Sequence, residues 1–214
     1  MRKFQEMCQE EFGKIELMAR GGQKIVFDGV HNSYGETVIK LYFQLNDPRS
    51  IREIQIEKGL SLSMVPKIYE TGIIEYEGTE TLYIIEQKVK GTELRKVLES
   101  GRRFSLEEAV IFLEQGLEFI SCIENKGIVH RDIKPENIIR ADDGKIFFLD
   151  FGIARVLGAD SLTRTGAMMG PHTPGYAAPE QFGDSQGHGI YNTDARTDIY
   201  NLGATLYHLV TGKN

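Results

Sequence analysis

His130-Arg131-Asp132-Ile133-Lys134-Pro135-Glu136-Asn137 is a polar stretch set between two apolar runs, Gly127-Ile128-Val129 before it and Ile138-Ile139 after it. The flanking runs read as short strands, so the polar residues sit on the loop that joins them. An Asp, a Lys and an Asn fall within six positions of one another. That set suits phosphoryl transfer. The Asp can accept the proton of an attacking hydroxyl, the Lys can neutralise the group in transfer, and the Asn can hold a metal ion. Such chemistry needs a second metal carboxylate at another strand end. Asp150-Phe151-Gly152 supplies one, directly after the apolar run Ile146-Phe147-Phe148-Leu149.

The rest of the composition narrows the class. A chain of 214 residues with 41% apolar content fits one large domain or two small lobes with packed cores. The net charge is −6 and the basic residues form no runs, which argues against a general nucleic-acid partner. Cys8 and Cys122 lie far apart, so neither a disulfide framework nor a zinc site is expected. No stretch reaches the ~18–20 apolar residues that span a bilayer. The polar, mixed-charge start is no signal peptide.

Along the chain, residues 1–12 read as a lead-in with helical character. Ile15-Glu16-Leu17-Met18 and Lys24-Ile25-Val26-Phe27 flank Gly21-Gly22 as strand, tight turn, strand. Thr37-Val38-Ile39-Lys40-Leu41 is a β-branched strand that carries one lysine. Asp47-Pro48-Arg49-Ser50 opens a helix with Ile51, Glu53, Ile54, Ile56 and Glu57. Tyr83-Ile84-Ile85 is a buried-type strand leading through Glu86-Gln87-Lys88-Val89 to Gly91. Ser105 and Glu108 form a capping box for a long amphipathic helix, with Ala109, Phe112, Leu113, Leu117, Ile120 and Ile123 on its apolar side. Residues 150–180 are loop-like. Asp198 then opens a helix that runs to Thr211, apolar all round and so expected to be buried all round, with Gly212 as its cap.

The stretch from His130 to Asn137 fits H-R-D-x-x-x-x-N, Asp150-Phe151-Gly152 is D-F-G, and Ala178-Pro179-Glu180 closes the loop as A-P-E. On these motifs the chain resembles the Hanks-type (eukaryotic-like) serine/threonine protein kinases. The resemblance runs from about Ile15 to Asn214. Tyr176-Ala177-Ala178-Pro179-Glu180-Gln181-Phe182 and Thr197-Asp198-Ile199-Tyr200 look most like bacterial members. It implies an α+β bilobal fold: a lead-in at 1–14, a β-rich N-lobe at 15–87, then the hinge and part of a helical C-lobe at 88–214. ATP would lie between the lobes with Mg2+.

The resemblance also implies roles. Asp132 would orient and deprotonate the substrate hydroxyl, and Lys134 would meet the γ-phosphate. Asn137 and Asp150 would hold magnesium. Lys40 would hold the α and β phosphates, with Glu53 as its helix partner and Glu57 as the runner-up. Ala19, Gly21 and Val26 fall on the glycine-rich lid, where Ala19 and Lys24 depart from the usual glycines. Val26, Val38 and Ile139 would sandwich the adenine, and the backbones of Gln87 and Val89 would bond it. Phe151 and His130 would stack, and Thr173 would face Asp132. Glu86 stands at the gatekeeper position, where an apolar residue or threonine is usual; Glu57 would point at the spine beside it, so at least one of the two carboxylates is expected to reach solvent or a basic side chain, or helix C to be displaced. Thr163 and Thr165 fall where bacterial relatives carry phosphothreonines, and Arg131 accompanies that mode of control.

The resemblance implies an ATP-dependent protein serine/threonine kinase acting on protein substrates, and a cytoplasmic location is expected. A pseudokinase, binding nucleotide or serving as a scaffold, is the competing reading. A kinase of small molecules is a third, which the complete Ala178-Pro179-Glu180 segment and Thr173 argue against. The helix from Asp198 corresponds to the family's helix F, and no later helices follow it here. Nor does the arginine that would pair with Glu180. The chain is therefore expected to continue naturally, to meet a partner chain, or to self-associate through that helix.

Overall fold

The alternating apolar stretches of the N-terminal part pair into one antiparallel sheet. Its strands are β1 (Phe12–Arg20), β2 (Lys24–His31), β3 (Gly35–Tyr42), β4 (Ile68–Tyr76) and β5 (Thr79–Gln87), in the order β1-β2-β3-β5-β4. The computed structural model describes residues 2–21, 24–43, 56, 59, 62–151, 154–156, 173, 175–182 and 193–214. Two compact units emerge, Met1–Ser61 with Pro66–Val89, and Leu62–Val65 with Lys90–Asn214.

In the first unit the β2–β3 register sets Val26 opposite Lys40 and Phe27 opposite Ile39. The two faces therefore differ. One carries Ile25, Phe27, Ile39, Leu41 and Ile85, all buried. Helix α1 (Phe4–Glu11) covers that face with Phe4 and Met7, whose spacing puts both on one side of the helix. The lead-in is thus part of the core. Backbone bonds fix both of its ends: Glu75 N–H donates to Arg2 O and Asn32 N–H to Glu11 O. The β4–β5 hairpin turns on Glu77 and Gly78, both at positive φ, as a tight two-residue turn requires.

The second unit starts with β6 (Gly91–Glu93), which pairs with β8 (Ile138–Ala141); β8 pairs in turn with β9 (Ile146–Phe148). A short ladder joins β7 (Ile128–Val129) to β10 (Arg155–Val156). Helices α2 (Leu94–Glu99), α3 (Leu106–Glu124) and α4 (Ala195–Thr211) and two 3-10 turns, Pro135–Asn137 and Pro179–Gln181, complete the described elements of this unit. The capping box is present: Ser105 accepts from Glu108 N–H, and the Glu108 carboxylate accepts from Ser105 N–H.

The buried face of α3 differs from the expected one. Ala109, Phe112, Gly116, Phe119, Ile120 and Ile123 point inward, while Leu113 is 37% and Leu117 42% exposed. Gly116 explains the rotation. A Cβ there would sit 2.5 Å from Leu202 Cδ1, so only glycine lets α4 approach so closely. Phe119 stacks on Phe148 with centroids 3.9 Å apart. Each fully buried side chain of this kind contributes about 1.5–3 kcal/mol.

Helix α4 begins earlier than expected, with Asp194 as N-cap accepting from Arg196 N–H, and it ends on Gly212 at φ 72° as expected. It is not buried all round. Ile199, Tyr200, Tyr207 and Val210 are exposed, and the buried stripe includes Thr197, Asp198, Asn201 and Thr205. Those polar groups are bonded to loops, which offsets the cost of burying them. Among the described residues no helix is long and apolar enough to cross a membrane.

Candidate functional site

The second unit builds a polar centre on the loop after β7. Arg131 takes a left-handed φ of 68°, a costly conformation for a side chain with a Cβ. What holds it is the Asp198 carboxylate of α4. Its Oδ2 accepts from His130 N–H at 2.8 Å and its Oδ1 from Arg131 N–H at 2.7 Å. Burial pushes the Asp198 carboxyl up to about 7, against the pull of those two N–H groups and of Arg131. From the other side Gln181 Nε2 donates to Arg131 O at 2.8 Å, and Asn201 Nδ2 donates to Gln181 Oε1 at 3.0 Å.

His130 is fully buried and lies 4.7 Å from Phe151, ring to ring. Asp132 N–H donates to its Nδ1, so Nε2 carries the ring proton and donates to Leu149 O at 3.2 Å. Burial lowers its pKa below the ordinary value, although Asp132 and Asp150 pull the other way. The ring is a neutral strut under the loop.

Asp132 is the hub. Oδ1 accepts from Thr173 Oγ1 at 2.8 Å. Oδ2 accepts from Asn137 Nδ2 at 2.8 Å and pairs with Lys134 Nζ at 2.7 Å. Lys134 Nζ also donates to Thr173 Oγ1 at 2.7 Å. The Asp132 and Lys134 side chains stay 15% and 17% exposed, enough to meet a reactant. Leu149 N–H donates to Asn137 O at 2.8 Å, which brings Asp150, the next residue, beside the Asn137 backbone. Asp150 also takes a left-handed φ, 64°. Asn137 spends its amide nitrogen on Asp132, so its Oδ1 is the atom it can offer a cation. An amide oxygen and a carboxylate are hard donors of the kind Mg2+ prefers, so these residues fit that ion.

The first unit contributes a separate set. Val26 and Val38 are half-buried on the sheet face that also carries Lys40. Lys40 Nζ bonds Glu86 Oε2 at 2.9 Å, with both side chains buried. Of the two carboxylates Glu57 and Glu86, Glu86 therefore reaches a basic side chain, Lys40. Ala19 and Gly21 are exposed at the end of β1, where Gly21 N–H donates to Lys24 O. Gln87 and Val89 are half-buried, and Gln87 N–H donates to Lys67 O at 2.8 Å. Ile139, in the second unit, is half-buried on β8. Glu53, Glu57, Thr163 and Thr165 lie outside the described residues.

Glu180 has a partner on α4. Within the described residues, Thr197 Oγ1 donates to its Oε1 at 2.6 Å. Sequence reasoning missed that bond, the clamp by Asp198 and the buttress by Gln181. A buried-helix pattern interrupted by Asp198, Asn201 and Thr205 was the signal for the last two.

Residues 12–214 match the profile of the family described as "Protein kinase domain". The probable serine/threonine-protein kinase PknB of Corynebacterium glutamicum is 34% identical over 206 residues, covering 92% of this chain and 31% of that protein. The serine/threonine-protein kinase PknA of Mycobacterium tuberculosis is 33% identical over 206 residues, covering 92% of this chain and 46% of that protein. The chain thus spans less than half the length of these relatives.

Proposed function

This chain belongs to the protein kinase domain family, and we propose that it transfers the γ-phosphate of ATP to serine and threonine hydroxyls of protein substrates. The observation that carries the reading is the Asp132 carboxylate, held on one oxygen by Thr173 and on the other by Asn137 and Lys134. A carboxylate fixed this way can orient a substrate hydroxyl and take its proton as the bond to phosphorus forms. Lys134 lies against the same carboxylate and offsets charge on the transferred group. Asn137 and Asp150 would hold Mg2+, which when bound spreads the negative charge of the phosphates. Positioning and charge neutralisation supply most of the acceleration for a loose phosphoryl transition state.

In this reading Lys40 holds the α and β phosphates, Val26, Val38 and Ile139 pack the adenine, and Ala19 and Gly21 belong to the lid. Any bond from Gln87 to the base uses its carbonyl, since its N–H is taken by Lys67 O; Val89 supplies the neighbouring backbone groups. Glu53 remains the proposed helix partner of Lys40. Thr163 and Thr165 are proposed phosphorylation sites: a phosphate adds about −1.5 to −2 charge, for which Arg131 is the proposed counter-charge. Both cysteines are unpaired thiols, which suits a reducing, ATP-containing compartment, so a cytoplasmic location is proposed.

The test is incubation with Mg2+, γ-labelled ATP and a mixed protein substrate, followed by phosphoamino-acid analysis. Phosphoserine and phosphothreonine are expected, with label also on Thr163 or Thr165. ATP binding without any transfer would replace this reading with a nucleotide-binding module.

A further inference from the structure

We propose that Glu86 is a positioning residue for nucleotide binding: it holds the Lys40 ammonium from within the sheet. The inference rests on the proposed role of Lys40, but its geometry lies wholly in the first unit.

The β3–β5 register sets Val38 opposite Glu86 and Lys40 opposite Ile84. Lys40 and Glu86 are therefore diagonal neighbours on one sheet face, within reach of long side chains. The bond between them is 2.9 Å, and the two side chains are 10% and 6% exposed. Apolar neighbours surround them: Ile84 is fully buried, and Val38 and Val26 are half-buried. A carboxylate in such a place is costly unless it is paired, and removing one member strands a buried charge. Both residues stand on strands whose backbones are bonded along their length, so register alone fixes where the carboxylate sits. An ammonium has three donors, and the bond to Glu86 uses one of them. Glu86 can thus aim Lys40 without consuming its capacity for phosphate oxygens.

A structural residue and a positioning residue make different predictions in a double-mutant cycle. The cycle uses Glu86→Gln, which keeps shape and acceptor but removes charge, and Lys40→Met, alone and combined. Affinity for Mg·ADP is measured by calorimetry. In the Lys40 background Glu86→Gln should weaken binding about tenfold, and in the Lys40→Met background it should change binding less than about twofold. Equal losses in both backgrounds, or no loss in the first, would overturn the proposal.

A second readout does not depend on nucleotide. Acylation of Lys40 by a small N-hydroxysuccinimide ester is followed by peptide mass spectrometry. Removing the Glu86 charge takes away a pull that keeps the Lys40 ammonium protonated, so Glu86→Gln should speed this labelling several-fold. An unchanged rate would overturn the pairing. If binding and labelling respond as stated while no phosphate is ever transferred, the kinase reading fails and the role of Glu86 stands.

Discussion

Thr173 Oγ1 donates to Asp132 Oδ1 at 2.8 Å across 41 positions of sequence. The same hydroxyl accepts from Lys134 Nζ at 2.7 Å. Thr173 thus orients the carboxylate and the ammonium of the loop at once, and it ties the segment before Ala178-Pro179-Glu180 to the reacting carboxylate.

Thr173→Val keeps the volume and removes the hydroxyl. A hydrogen bond to a charged group is worth about 1.5–3 kcal/mol, so kcat should fall at least about tenfold. Thr173→Ser should retain most of the rate, and the KM for ATP should not move in either variant. Steady-state kinetics of the two variants checks this; equal losses for Val and Ser would deny the hydroxyl its part.

Gly116 and Leu202 should show a change of sign. Gly116→Ala gains about 1 kcal/mol of helix propensity. Its Cβ would meet Leu202 Cδ1 at 2.5 Å, and Leu202 is fully buried, so the side chain cannot step aside. Overpacking costs about 1–3 kcal/mol, making the single variant neutral to destabilising. In a Leu202→Ala background the clash is gone and Gly116→Ala should stabilise. Urea denaturation of the four proteins reads the coupling.

His130 and Asp198 give opposite pH dependences. Burial lowers the folded pKa of His130 below its unfolded value near 6.5. As pH falls through that value the unfolded chain gains a proton that the folded one refuses, so this stability is present above it and lost on acidification. Asp198 is raised from 3.8 to about 7. Between those values the folded chain holds a proton the unfolded one lacks, so its contribution is present at acid pH and is lost as pH rises to about 7. His130→Phe should remove the acid loss and leave the opposing slope. Each unit of pH below 6.5 should then narrow the gap to the parent protein by up to about 1.4 kcal/mol. Denaturation at pH 5, 6 and 7 tests it, and parallel curves would contradict it.

How much was legible follows from how local each feature is. Asp132, Lys134 and Asn137 lie within six positions, so one loop brings them together whatever surrounds it. Thr173 was placed only through the resemblance, and its bond to Asp132 agrees. The Lys40–Glu86 pair depends on strand register across 46 positions, which alternation alone does not specify. Glu86 did stand out as a charge inside an apolar run, a sign of a partner to be found. Leu113 and Leu117 read as core because helical periodicity fixes a stripe but not its edges; the close approach at Gly116 turned α3 away from them. The polar stripe of α4 was hidden in the same way. Its apolar residues outnumber Asp198, Asn201 and Thr205, yet those three reach the loops at His130 and Arg131, at Tyr176 and at Ile133.

The central claim is that Asp132 acts as the base in phosphoryl transfer from ATP. Asp132→Asn keeps the side-chain shape and removes the basic oxygen. The measurement is the initial rate of γ-phosphate transfer to a serine-containing protein substrate, with Mg·ADP affinity determined on the same preparation. The account predicts a fall of about 10²–10⁴-fold in rate with affinity unchanged. A rate within a few-fold of the parent protein, at equal affinity, would contradict it.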